Sequence, residues 1–95
     1  MEHKPKVTMD YGGRGGEIWL EDGNHQLRFP WEMSADGFDI FVPSPENWQL
    51  QTGLPLEHRM ETLEWIAQCA IAQRAKPEST FNIVDEAFSW IAVHF

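Results

Sequence analysis

Glu17-Ile18-Trp19-Leu20-Glu21-Asp22-Gly23-Asn24-His25-Gln26-Leu27-Arg28-Phe29-Pro30-Trp31 carries a strong short-range signal for paired strands. An Asp-Gly pair stands between two runs rich in apolar and aromatic residues. Such a turn needs positive φ, which glycine supplies without a steric penalty, so the stretch predicts a β-hairpin. On the return strand Leu27, Phe29 and Trp31 alternate with Gln26, Arg28 and Pro30, the period of a strand with one buried face. Pro30 has no N–H to donate, so the reading ends this strand there or places it at an edge.

Working outward, Lys6 to Tyr11 puts Val7 and Met9 on one face of a further strand, and Gly12-Gly13-Arg14-Gly15-Gly16 follows as a hairpin tip. Downstream, Ala35-Asp36-Gly37 marks another turn. Phe38, Ile40 and Val42 then share one face of a strand, with Asp39 and Phe41 on the other, until Pro43-Ser44-Pro45 stops it. Residues 46–53 read as a loop. The period then changes. Leu56, Met60, Leu63, Ala67 and Ala70 recur at helical spacing, Pro55 suits a first turn, and Lys76-Pro77 ends the pattern. One helix of about 55–75 is expected. The final segment fits two readings. Phe81, Val84, Phe88, Ile91 and Phe95 have helical spacing, but the β-branched and aromatic density of 80–84 and 90–95 favours a C-terminal hairpin turning at Asp85-Glu86. The fold class is therefore α+β: an antiparallel sheet of about 4–6 strands with one long helix packed on one face. A single domain over 1–95 is expected, with 1–5 as a frayed leader.

Composition narrows the function. Fifteen acids against seven bases give a formal charge of −8, which repels nucleic-acid phosphates and anionic membranes. That charge leaves solubility or a basic protein partner as its use. No apolar run reaches the roughly 18 residues of a membrane span. The single cysteine, Cys69, forms no internal disulfide, which suits a cytoplasmic protein.

Enzyme signatures are weak. The glycine cluster precedes a strand and lacks the following lysine of a phosphate loop. His3, His25, His58 and His94 have no metal-ligand spacing, and Cys69 lies deep in the predicted helix, where a thiol packs rather than reacts. No catalytic residue, cofactor or metal is assigned. Trp65 is more informative. On the helix it stands opposite the apolar stripe, on the face of His58, Glu61 and Gln68, so it is either covered by another segment or offered to a partner. Glu32, Asp36, Asp39 and Glu46 occupy a stretch without basic residues, interleaved with Phe41 and flanked by Trp31 and Trp48. Aromatic anchors with an acidic rim suit a basic protein surface.

In size, acidity and mixed composition the chain resembles small bacterial immunity proteins, which mask the basic active site of a toxin. The resemblance rests on charge and size and carries over no functional residue. The expectation is a small non-catalytic protein-binding protein, an immunity-type inhibitor or adaptor. Trp65, Trp48, Trp31 and Phe41 would be its anchors, and Asp36, Asp39 and Glu61 its steering carboxylates. Two alternatives stand beside it: a subunit that self-associates, and a small ligand-binding or enzymatic domain with a pocket between helix and sheet.

Overall fold

The Asp22-Gly23 turn forms as predicted: Asp22 pairs with His25 across the turn, and Gly23 takes φ 58°, which a side chain would resist. The computed structural model describes residues 4–10, 13–23 and 25–95, with His25 described by its backbone alone. Strands β1 (Lys6–Met9), β2 (Gly15–Asp22), β3 (His25–Ser34) and β4 (Gly37–Val42) come first. A short helix α1 (Trp48–Thr52), a 3-10 turn (Leu56–His58) and helix α2 (Arg59–Arg74) follow, then β5 (Thr80–Asp85) and β6 (Ser89–His94). The strands form one six-stranded antiparallel sheet in the order β1-β2-β3-β4-β6-β5. The last two strands are the C-terminal hairpin.

Parity sorts the side chains. Val7, Met9, Ile18, Leu20, Phe29, Trp31, Phe38, Ile40, Ile91 and Val93 point to one face and are buried beneath α2. Burying each such side chain contributes about 1.5–3 kcal/mol before entropy is counted. Trp19, Arg28, Pro30, Glu32, Asp39, Phe41, Trp90 and Ala92 point to the other face, which no helix covers among the described residues.

Four local readings change. First, β3 continues through Pro30 to Ser34 and lies inside the sheet. The Glu17 carbonyl already accepts the Asp10 N–H, so the Glu17–Pro30 pair exchanges no hydrogen bonds. The missing N–H of Pro30 faces β4, whose register with β3 begins only at Trp31↔Ile40, so no ladder bond is lost. Second, Gly15 and Gly16 belong to β2 rather than to a hairpin tip; Gly12 lies outside the described residues. Third, part of the loop 46–53 coils into α1, which Gly53 ends with φ 75°.

The fourth concerns the helix stripe. Leu63, Ala67 and Ala70 are buried as predicted, but Leu56 and Met60 are 50% and 49% exposed. Ile66, beside the stripe, is buried as well, and Arg59 and Thr62 take the inner places of Leu56 and Met60. A 3-10 turn at the start alters the angular step, and a buried arginine takes the place that a count of apolar residues assigns to its neighbours. Arg59 is satisfied there: Nη1 and Nη2 donate to Asp85 at 3.1 and 2.7 Å, and Nε and Nη2 donate to the Pro43 carbonyl at 3.3 and 3.1 Å. Thr62 hides its hydroxyl by donating to the His58 carbonyl at 2.8 Å.

The two sheet edges differ. On β1, Gln73 of α2 behaves like a peptide unit of a neighbouring strand. Its Oε1 accepts from Met9 N at 3.0 Å and its Nε2 donates to Val7 O at 2.7 Å. Along β5 no strand pairs on the outer side among the described residues.

Candidate functional site

On the uncovered sheet face aromatic side chains from three elements meet solvent together. Phe41 of β4 stands directly opposite Trp90 of β6, and Val84 of β5 stands beyond it, making an apolar row across three strands. Phe88, in the β5–β6 turn, is 75% exposed and projects beside that row. A single exposed apolar residue is ordinary, and it is the adjacency of Phe88 to Phe41 and Trp90, a contiguous patch, that marks this face. Phe41 and Phe88 line two open hollows. One, of about 590 Å³, is bounded by Asp39, Phe41, Phe88 and Trp90. The other, of about 580 Å³, runs past Pro30 and Arg28 to Asn47 and Gln51 beside α1.

The electrostatics of this face are uneven. Across β2 and β3, Arg28 lies over the Trp19 ring at 5.7 Å and bridges Glu17 at 3.8 Å. Across β3 and β4, Glu32 and Asp39 stand directly opposite each other, two carboxylates in one cross-strand pair. Partial burial, then the Glu32 charge, pushes the Asp39 carboxyl above its ordinary pKa, with His94 partly opposing. His94 itself donates to Asn82 at 2.7 Å on the same face.

The sequence-derived anchors divide. Phe41 and Asp39 come together on this face. Trp31 and Trp48 do not qualify as anchors: at 2% and 0% exposure they are core side chains. Trp31 has the parity of Phe29 and packs edge-on against Phe38 at 5.8 Å. Trp48 is carried inward by α1, its indole N–H donating to Pro55 O at 3.2 Å. Asp36 is exposed in the β3–β4 turn, at the opposite end of β4 from Val42, where its carbonyl accepts the Phe95 N–H. Glu61 and Trp65 lie on α2, across the sheet from the open face, and share a small hollow with Lys4, Glu64 and Gln68.

Of the two fates open to Trp65, covering by the N-terminal segment holds. Its Nε1 donates to Pro5 O at 2.7 Å, and Lys4 Nζ lies 4.5 Å from the ring centroid. Pro5 is buried by that contact, so the frayed leader does not extend to it; residues 1–3 lie outside the described residues.

Sequence reasoning missed Trp90 and Phe88. The signal was present in Ser89–His94. Ile91 and Val93 alternate with Trp90, Ala92 and His94, so a strand apolar on both faces must put Trp90 on whichever face the helix leaves open. Phe88 was counted as one of the helically spaced apolar residues, although it belongs to the turn. Cys69 is half-buried, and burial raises its thiol pKa, which keeps it protonated and weakly nucleophilic at neutral pH. Comparison of the chain with protein families, with curated proteins and with solved structures finds no match.

Proposed function

We propose that this chain is a small acidic, non-catalytic protein-binding protein, of the immunity-inhibitor or adaptor kind, whose open sheet face engages a basic partner. The observation that carries the reading is Phe88, largely exposed beside Phe41 and Trp90 on the face that α2 leaves bare. Aromatic side chains at the centre and carboxylates beside them are the composition of an interface, with the apolar area contributing affinity and the charge contributing approach rate and selectivity. A formal charge of −8 favours a basic protein over nucleic acid or an anionic membrane. No helix among the described residues is long and apolar enough to cross a membrane. With a single, unpaired Cys69, a reducing cytoplasm suits the chain.

The test is affinity capture from a lysate of the source cell, at low and physiological salt, with the wild-type chain, Phe88→Ser and Trp65→Ala. A stoichiometric basic partner that weakens with salt, survives Trp65→Ala and is lost with Phe88→Ser supports the reading. Retention by Phe88→Ser together with loss by Trp65→Ala overturns it.

A second reading, self-association, is favoured by the outer side of β5, which no strand pairs among the described residues, since an unpaired strand edge is a template for another strand. A mass that rises with concentration in sedimentation, insensitive to Phe88→Ser, would select it.

A further inference from the structure

We infer that the open face carries a seat for one cationic side chain of the partner, an arginine held between the Asp39 carboxylate and the Trp90 ring, with the charge of Glu32 standing behind Asp39 on the neighbouring strand. The inference rests on the binding-face reading above and names the chemistry recognised there.

Like charges directly opposite on an antiparallel pair destabilise the sheet, and no arginine or lysine among the described residues bridges Glu32 or Asp39. Their arrangement costs stability in the free chain and would be relieved by a bound cation.

Asp39 is opposite Ala92, a methyl group, with Trp90 two residues along the same strand face. The small residue leaves space beside the carboxylate, and the hollow there is walled by Asp39, Phe41, Phe88 and Trp90. A planar guanidinium stacks on an indole and presents paired donors to a carboxylate, whereas an ammonium offers only a point charge.

Across β2 and β3 on the same face, the chain builds the same combination from its own residues: Arg28 over Trp19 with Glu17 as the carboxylate. At Trp90 the ring and the Asp39 carboxylate are present, and the cation is left to the partner.

The experiment pans a displayed library of random dodecapeptides on the wild-type chain. Enriched peptides are then measured for binding to wild type, Asp39→Lys, Asp39→Asn, and Phe88→Ser, each checked for folding by circular dichroism. The inference expects peptides with an arginine flanked by apolar residues. Their affinity should fall at least about tenfold with Asp39→Lys and should fall with Phe88→Ser. Replacing the peptide arginine by norleucine should cost a similar factor, and by lysine a smaller one. Peptides without a basic residue that need Phe88 but ignore Asp39→Lys would overturn the cation seat and leave the binding face standing. Failure to enrich any peptide sensitive to Phe88→Ser would overturn both. Asp39→Asn keeps the experiment decisive if the charge reversal unfolds the chain.

Discussion

Arg59, at the first turn of α2, and Asp85, at the end of β5, form a two-pronged ion pair with N–O distances of 2.7 and 3.1 Å. The same guanidinium bonds the carbonyl of Pro43, just past β4. One side chain, 4% exposed, thus ties the start of the helix to the ends of two strands, β4 and β5, which Ser89 of β6 aligns at one end of the sheet. Its burial is tolerable because all three guanidinium nitrogens donate hydrogen bonds.

Asp85→Asn should therefore destabilise the fold by about 2–3 kcal/mol, less than the 3–5 kcal/mol of a fully buried pair because Asp85 is partly solvated and Pro43 still holds Arg59. Chemical denaturation at pH 7 measures it. Arg59 lowers the Asp85 pKa, with Ser89 assisting. The contribution is complete above the ordinary aspartate value of 3.8 and is lost as pH falls through the depressed one. The acid side of the stability profile should be flatter in Asp85→Asn than in wild type.

Asp39 should show the opposite sign. Its pKa is raised by burial and by Glu32, so its ionisation disfavours the folded state. That penalty is absent below pH 3.8 and develops as pH rises through the raised value. Asp39→Asn should gain about 0.2–1 kcal/mol at pH 7 and little at pH 3, read from paired denaturation curves. A loss of stability at pH 7 would contradict the like-charge account.

The helix stripe can be tested by substitution on both of its versions. Ile66→Ala should cost about 2–5 kcal/mol because it opens a cavity in the core, whereas Met60→Ala should stay within about 1 kcal/mol. Thermal melts of the two variants separate them. Leu63→Asp should abolish cooperative unfolding, because the carboxylate would enter a fully buried position.

Gln73→Ala removes the amide that closes the β1 edge. The expected loss is about 1–3 kcal/mol from unsatisfied backbone groups, and the Met9 amide should exchange hydrogen faster than its neighbours. Hydrogen exchange followed by NMR reads both.

Gly37→Ala should be among the most damaging single changes. An added Cβ would lie 1.8 Å from the Val93 carbonyl oxygen, a backbone atom of the paired strand. β4 and β6 would have to separate, at a cost of about 3 kcal/mol or more. By contrast, Phe88→Ser should leave stability within about 0.5 kcal/mol, since that ring is largely in water already.

Much of the fold was legible because its signals are local. The Asp22-Gly23 turn, the alternation of Leu27, Phe29 and Trp31, and the helical recurrence of Leu63, Ala67 and Ala70 each reflect the geometry of a few neighbouring residues. The candidate site was only partly legible. Trp31 and Trp48 looked like surface anchors because they flank a run of acids, yet their strand parity and helix position turn them into the core. Sequence neighbours on a strand face opposite ways, so an acidic context says little about where an adjacent ring points.

The residues alone establish an acidic α+β chain with hairpins first and one long helix. Tertiary structure alone decided which aromatics remain in water. Strand order places β4, β6 and β5 side by side, so residues some fifty positions apart, Phe41 and Trp90, become direct neighbours. One helix can cover only one side of a six-stranded sheet. Which side it covers is settled by long-range pairing and by the anchoring of Arg59 on Asp85, two choices that no local window of the chain contains.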